Sequence, residues 1–167
     1  MPTKQNGWRG RRRRNSPGLG SKEPASGMDR IAQCQCGSLR VTATGEPHTV
    51  AVCHCIECQR RTGSVFAANA YYEKERTRIE GPSRLYTRDG QAGRKVRFHF
   101  CPNCGTSVYW DADFFPNYYG IAVGAFADPK FPAPSISAWE QSLHHWVTLP
   151  SGVEHFERIR PATVGEE

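Results

Sequence analysis

The sequence contains no long hydrophobic run, and this absence excludes several classes of protein. A stretch of about 18 consecutive apolar residues, which a membrane-spanning helix needs, does not occur. No apolar segment follows the first residues, as it would in a secretory leader, so we expect a cytoplasmic protein without membrane contacts. A sustained 3.6-residue hydrophobic period is also lacking, which disfavours a helical fold.

Most of the chain lacks net charge as well. The formal charge is +6, but residues 1–30 carry eight basic and two acidic side chains, which leaves fourteen of each sign in residues 31–167. The positive excess therefore belongs to the N-terminal segment, where Arg11 to Arg14 are consecutive. Contact with nucleic acid is expected only through this segment, and the folded part is expected to be neutral.

Composition also predicts the division of the chain. Residues 1–27 are rich in Arg, Gly, Ser and Pro and poor in residues that could be buried, so we expect a disordered tail. Met28 begins a stretch that resembles a natural start of translation, and we expect it to be the working initiator. Residues 28–160 are expected to form one zinc-binding domain, followed by a short flexible tail at 161–167.

Short apolar and β-branched runs, separated by Gly and Pro, predict an all-β fold. Leu39–Ala43 and Thr49–Cys53 have this character, and Asp89-Gly90 with Gly93 predicts the loop of a hairpin. Only one short helix is expected, after Cys55. The other predicted strands are 64–72, 84–87, 95–100, 107–110, 118–123 and 135–139.

Seven cysteines occur in three clusters, and their spacing is typical of zinc ligands. Tetrahedral zinc places sulfurs about 4 Å apart, which tight turns between near-adjacent cysteines can supply. The odd number and the close spacing argue against a set of disulfides. Iron and a redox role for one pair remain alternatives. The clusters are Cys34-x-Cys36, Cys53-His54-Cys55-x-x-Cys58 and Cys101-x-x-Cys104.

Seven thiols divide into one closed site of four and one site of three, so we expect two Zn²⁺ ions per chain. The first and last clusters supply two ligands each and would join segments far apart in the chain. The middle cluster supplies three ligands that lie within six residues. The fourth position of that site is then open to water or substrate, or is filled by a remote side chain. His54 is a less favoured ligand, because its side chain should face away from those of Cys53 and Cys55 in an extended segment.

Zinc held by three thiolates is a weak Lewis acid that suits a soft fourth ligand such as another thiol. Binding deprotonates that thiol, and the thiolate could then attack an electrophile such as an aldehyde. The pattern therefore favours an enzyme that binds and activates a small thiol. The alternatives are a non-catalytic zinc module whose basic tail contacts nucleic acid or protein, and a metal-sensing or redox protein. The oligomeric state is not predicted.

The order C-x-C-G, C-H-C-x-x-C and C-x-x-C-G resembles the family of glutathione-dependent formaldehyde-activating enzymes and centromere protein V. The similarity extends from Ile31 to Phe156 and includes Arg84-Leu85-Tyr86, Phe100 to Thr106, and Gly120 to Pro129. The resemblance implies a twisted "β-tent" fold with two zinc ions. It also implies a carbon–sulfur lyase-type activity that joins glutathione and formaldehyde into an S-hydroxymethyl adduct.

Carried over onto this sequence, the resemblance assigns a role to each cysteine. It implies a structural zinc on Cys34, Cys36, Cys101 and Cys104. It implies a catalytic zinc on Cys53, Cys55 and Cys58.

Several other residues are weaker candidates for the site. Arg60 and Arg61 could attract the carboxylates of glutathione, although surface ion pairs are the more common role for such residues. His144 and His145 could transfer a proton but are expected to be surface or packing residues. The aromatic residues expected in the core are Tyr118, Tyr119, Trp139 and Trp146.

Overall fold

The computed structural model describes residues 27–90 and 93–159, and the prediction of an all-β fold is confirmed. Eleven strands and one α-helix are present in the described residues, with short 3-10 turns between them. The strands are β1 Asp29–Gln33, β2 Arg40–Thr44, β3 Thr49–Cys53, β4 Ala67–Glu73, β5 Thr77–Glu80, β6 Arg84–Asp89, β7 Lys95–Phe100, β8 Ser107–Ala112, β9 Tyr118–Ala122, β10 Ile136–Ala138 and β11 Glu154–His155. The helix, α1, spans Ile56–Thr62.

The strands form two sheets. The small sheet has the order β1-β2-β5, and the large sheet has the order β11-β10-β3-β4-β9-β8-β7-β6. Pairing is antiparallel except at β10, which runs parallel to both β3 and β11. The predicted hairpin is present as β6 and β7, which pair from Arg84 opposite Phe100 to Asp89 opposite Lys95.

Helix α1 begins and ends where local chemistry predicts. Cys55 is the N-cap residue, and its sulfur accepts a hydrogen bond from the Cys58 amide. Gly63 ends the helix in the left-handed conformation, with φ of 68°, which glycine adopts without steric cost. The predicted strand at 64–72 therefore begins only at Ala67, because the residues after Gly63 complete the turn that leaves the helix.

Three strands were not predicted: β1, β5 and the two-residue strand β11. Each has few side chains that could be recognised as buried from the sequence. Ala32 is the buried residue of β1, while its neighbour Ile31 is half exposed. Strand β5 has a single apolar residue, Ile79, between charged neighbours. Both strands are edges of the small sheet, so each gains backbone hydrogen bonds from β2 without needing a strong apolar pattern.

The large sheet separates two clusters of buried side chains. Alternation along β4 directs Ala70 and Tyr72 into the larger core between the sheets, and Asn69 and Tyr71 to the other face. The larger core contains Ala32, Cys34, Leu39, Val41, Ala43, Val50, Ala70, Tyr72, Cys101, Val108, Tyr109, Ile121 and Phe126. The smaller cluster, on the opposite face, contains Val96, Phe98, Trp110 and Ala112.

One prediction about the core is wrong. Trp146 was expected to be buried but is 61% exposed. It lies in a loop after the last 3-10 turn, where its only aromatic neighbour among the described residues is His144, at 5.9 Å between ring centroids. Tyr118, Tyr119 and Trp139 are partly buried.

The tails predicted at residues 1–27 and 161–167 lie, except for Gly27, outside the described residues. None of the helices in residues 27–90 and 93–159 has the length and apolar character needed to cross a bilayer.

Candidate metal centres and pocket

The first and last cysteine pairs meet in space, as the sequence predicts. The sulfurs of Cys34, Cys36, Cys101 and Cys104 all lie within 4.8 Å of one another. Cys36 Sγ is 3.5 Å from Cys34 Sγ and 3.6 Å from Cys101 Sγ. These separations are close to the value of about 4 Å that tetrahedral zinc–thiolate geometry requires. We call this group the four-cysteine cluster.

Two loops with similar hydrogen bonds build the four-cysteine cluster. The Cys34 amide donates to Leu39 O at 3.0 Å, and the Cys101 amide donates to Thr106 O at 3.0 Å. Each loop turns at a glycine with positive φ, 76° at Gly37 and 74° at Gly105. The repeated geometry explains why the same Cys and Gly pattern occurs twice in the sequence.

Hydrogen bonds in the four-cysteine cluster favour ionised sulfur at Cys34 and Cys104. At Cys36 the Ser38 hydroxyl lowers the pKa, but the contacts with Cys34 and Cys101 outweigh it and raise the pKa. Burial raises the pKa of the Cys34 thiol, but donation from the Leu39 amide at 3.2 Å and from nearby thiols outweighs it and lowers the pKa to about 7. The Thr106 hydroxyl, 3.3 Å from Cys104 Sγ, is the largest cause that lowers the pKa of Cys104 to about 5. Thiolates are the form that binds metal, so these contacts suit a metal site.

The middle cysteines also converge. The sulfurs of Cys53, Cys55 and Cys58 lie within 4.8 Å of one another, and this group includes no fourth Cys, His, Asp or Glu among the described residues. Cys53 is the last residue of β3, and the other two lie at the N-terminal end of α1. The sharp change from strand to helix brings the three side chains together. We call this group the three-cysteine cluster.

The three thiols of this cluster cannot all ionise easily without a cation. Hydrogen bonds from the Cys53 and Cys58 thiols lower the pKa of Cys55 to about 2. Hydrogen bonds between the Cys53 thiol and the sulfurs of Cys55 and Cys58, together with burial, raise the pKa of Cys53. For Cys58 the contact with Cys53 lowers the pKa, but the contact with Cys55 and burial outweigh it and raise the pKa to about 11. A bound cation would neutralise this repulsion, so the donor set fits a thiophilic metal.

Both clusters could therefore bind a metal ion. The seven sequence-predicted ligands occur in the predicted groups of four and three. His54 is not a member of either group: its side chain is fully buried, packs edge-on against Phe66 at 5.6 Å, and has its pKa lowered by that burial.

A pocket of about 490 Å³ opens on the face of the large sheet where the three-cysteine cluster lies. All three of its cysteines line the pocket. The wall is mostly apolar and aromatic, a common property of small-molecule sites. Its aromatic members are Tyr71, Phe98, Trp110, Phe114 and Trp139.

The pocket carries three arginines and one acidic residue, Glu57, among its described lining residues. The guanidinium of Arg61 lies 4.7 Å from the centre of the Phe98 ring, Arg88 lies 5.7 Å from the same ring, and Arg94 lies 5.5 Å from that of Phe114. None of the three forms an ion pair with a carboxylate of the described residues. Their charges are therefore available to an anionic ligand. We call them the arginine rim.

The two arginines named from the sequence have different environments. Arg61 lines the pocket, whereas Arg60 is exposed and pairs with Glu57 at 3.6 Å. Arg88 and Arg94, on either side of the hairpin loop, were not predicted as site residues. The sequence predicts this hairpin, but it does not show that the hairpin reaches the three-cysteine cluster.

His144 has a partner that sequence reasoning did not foresee. Its Nε2 lies 3.0 Å from Gln59 Oε1, and Gln59 Nε2 donates to the carbonyls of His54 at 2.7 Å and Ser142 at 2.9 Å. Gln59 thus joins α1 to the loop after β10. Neither His144 nor His145 is among the described residues that line the pocket.

Comparison with known proteins agrees with the cysteine pattern. The family model described as glutathione-dependent formaldehyde-activating enzyme matches residues 29–142, more than half of the chain. The chain belongs to this family. The matched range contains all seven cysteines, so the resemblance to the glutathione-dependent formaldehyde-activating family is confirmed.

No curated protein matches the chain. Among solved structures, the crystal structure of a Rhodobacter sphaeroides protein is similar, with 23% sequence identity and a TM-score of 0.44. The match covers 57% of this chain and 85% of that one.

Proposed function

We propose that this family member is a zinc-dependent enzyme of the carbon–sulfur lyase type, which joins glutathione and formaldehyde into an S-hydroxymethyl thiol adduct. The observation that supports it most directly is the position of the three-cysteine cluster. Its three sulfurs lie within 4.8 Å of one another on the wall of a 490 Å³ pocket. A metal site on a pocket wall is accessible to substrate, whereas a site enclosed by protein is not.

In this proposal each cluster holds one zinc ion. Cys34, Cys36, Cys101 and Cys104 form a closed structural site that joins the two sheets. Cys53, Cys55 and Cys58 form the catalytic site. Zinc bound there would keep the substrate thiol ionised at neutral pH, because the thiolate is the form that coordinates.

The arginine rim would recognise the thiol substrate. Glutathione carries two carboxylates, and a guanidinium binds a carboxylate through two parallel hydrogen bonds. The guanidinium groups of Arg61, Arg88 and Arg94 lie over the rings of Phe98 and Phe114. Apart from one N–H of Arg88, which donates to Asp89 O at 3.0 Å, their N–H groups have no hydrogen-bond acceptor among the described residues, so they can donate to an anion.

The reaction balances without a further reagent. The thiol sulfur adds to the carbonyl carbon and forms one C–S bond, while the π electrons of the carbonyl move to its oxygen. That oxygen takes up a proton from solvent, which replaces the proton released by the thiol. The reverse reaction breaks the same C–S bond and returns thiol and aldehyde. The protein accelerates both directions by holding the two reactants together in the pocket.

Exchange NMR tests the proposal. Glutathione and formaldehyde also form their adduct without a catalyst, so the measurement is the exchange rate between free and adduct formaldehyde, with and without the zinc-loaded protein. We expect the wild type to accelerate the exchange and Cys55→Ser to lose the acceleration while it retains its fold. An exchange rate that the wild-type protein leaves unchanged would overturn the proposal and favour a non-catalytic zinc module.

A further inference from the structure

Asn69 is a buried amide on the pocket wall that neither the metal ligands nor the arginine rim accounts for. Its side chain is 4% exposed and lines the pocket. Its Oδ1 accepts a hydrogen bond from Trp110 Nε1 at 3.0 Å. Its Nδ2 has one contact among the described residues, with Ala67 O at 3.5 Å, which is the outer limit for a hydrogen bond.

Trp110 determines which way the amide faces. An indole N–H can only donate, so the atom of Asn69 that it meets must be the oxygen. The NH2 group therefore points away from Trp110. It carries two N–H donors, and the single weak contact with Ala67 O satisfies at most one. An unpaired buried donor costs free energy in the folded protein. The second N–H is therefore placed to donate a hydrogen bond to an oxygen atom in the pocket.

The sheet holds this amide close to the three-cysteine cluster. Cys53 on β3 pairs with Ala67 on β4, and Ala51 pairs with Asn69, so Cys53 and Asn69 are diagonal neighbours on one face. Such neighbours lie about 7–8 Å apart, a distance that a bound thiol and a carbonyl group can bridge.

The backbone also keeps Trp110 in place. Trp110 on β8 pairs with Gly120 on β9, and a Cβ at Gly120 would lie 2.3 Å from the indole. The indole therefore lies directly over a glycine, where other residues would displace it. A flat aromatic ring held in this way gives the Asn69 amide a fixed orientation, as a preorganised donor requires.

We propose that Asn69 is a catalytic residue that donates a hydrogen bond from Nδ2 to the aldehyde oxygen as sulfur adds to the carbonyl carbon. This inference rests on the proposed function and deepens it. As the C–S bond forms, the π electrons of the carbonyl move to oxygen, and the donor stabilises the negative charge that develops there. The oxygen then takes a proton from water, and the protein is unchanged.

Asn69→Leu tests the proposal, because leucine has a similar volume and no donor. Loss of one such donor costs about 10² to 10³-fold in kcat in a well-studied case, so we expect the maximal exchange rate to fall by about 100-fold. Zinc content and the dissociation constant for glutathione alone should stay within about threefold of wild type. Asn117→Leu, the same change at an exposed asparagine that does not line the pocket, is the matched control and should have no effect.

A structural role for Asn69 as the acceptor of Trp110 predicts a different result. In that case Asn69→Leu would lower stability, zinc content or glutathione binding and leave the maximal exchange rate of the loaded protein near that of Asn117→Leu. Either a retained maximal rate or a loss explained by missing zinc would overturn the proposal.

A measurement on the wild-type protein remains decisive if the variant does not fold. The side-chain amide protons of Asn69 can be assigned by NMR through their proximity to Trp110 Nε1–H. We expect these protons to shift when glutathione and formaldehyde are added together and to shift little with glutathione alone. Equal spectra in the two conditions would overturn the role of Asn69, whereas the proposed function fails only if the wild type does not accelerate exchange.

Discussion

The two cysteine clusters have the same ligand chemistry but different places in the fold. The four-cysteine cluster joins segments about 65 residues apart, and two of its members, Cys34 and Cys101, are part of the core between the sheets. The three-cysteine cluster comes from residues within six positions of each other and lies on a pocket wall. A metal bound in the first arrangement would contribute to folding, because it would close a long loop, while the second arrangement is placed to meet a ligand.

Paired serine substitutions should separate these roles most strongly. Cys101→Ser removes a buried sulfur of the four-cysteine cluster, which is a proposed zinc ligand, and we expect it to prevent stable folding, since structural zinc contributes about 10–16 kcal/mol in small zinc domains. Cys55→Ser should lose one zinc ion per chain and keep a cooperative thermal transition. Metal analysis and circular dichroism measure both. Equal loss of structure in the two variants would contradict the assignment of the three-cysteine cluster as the catalytic site.

Acid should release metal from the two clusters at different pH. In the four-cysteine cluster the folded pKa of Cys34 is lowered to about 7 and that of Cys104 to about 5, while that of Cys36 is raised. At Cys34 and Cys104, protons therefore compete with metal only as the pH falls through these values. In the three-cysteine cluster the pKa of Cys55 is lowered to about 2, but that of Cys53 is raised and that of Cys58 is raised to about 11. Protons therefore compete with metal for two of its three sulfurs already at higher pH. We expect the three-cysteine cluster to lose its zinc first on acidification.

A coloured chelator can follow this release during a pH titration. The order of release is assigned by repeating the titration with Cys55→Ser, which should lack the phase at higher pH. A phase at higher pH that persists in the variant would show that the four-cysteine cluster releases first.

Gly120→Ala should damage the pocket side of the sheet while leaving the four-cysteine cluster intact. The new Cβ would overlap the Trp110 indole, which costs about 1–3 kcal/mol through overpacking. We expect a lower Tm, a changed tryptophan emission and slower exchange, with zinc retained by the four-cysteine cluster. Gly124→Ala is the matched control, because nothing lies within 4 Å of its Cβ position. Equal behaviour of the two variants would show that the Trp110 position is not restricted by Gly120.

The smallest expected effect is on glutathione binding, and the neighbouring residues Arg60 and Arg61 provide a matched pair for measuring it. Arg61→Ala removes a guanidinium from the pocket, and we expect KM for glutathione to rise about tenfold, which corresponds to about 1.4 kcal/mol. Arg60→Ala, in the same helix but outside the pocket, should leave KM within about twofold. Neither variant should change zinc content. The proposed role of the arginine rim would be wrong if cysteamine, which has no carboxylate, were affected by Arg61→Ala as strongly as glutathione.

Local patterns in the sequence were enough to predict several elements. The bounds of β3 and the end of α1 at Gly63 follow from β-branched residues and from the glycine that permits a left-handed turn. The groups of four and three cysteines follow from their spacing. Strands β1 and β5 were missed because an edge strand can form with a single buried side chain, which gives little pattern to recognise.

What the sequence by itself determined is the all-β class, the grouping of the seven cysteines and the family. These depend on spacing along the chain, which any reader of the sequence can measure. Only the tertiary structure decided that Asn69, Trp110, Arg88 and Arg94 share a pocket with the three-cysteine cluster. The physical reason is that these residues come from separate strands and loops, and only the hydrogen-bonded order and register of the large sheet place them on one face.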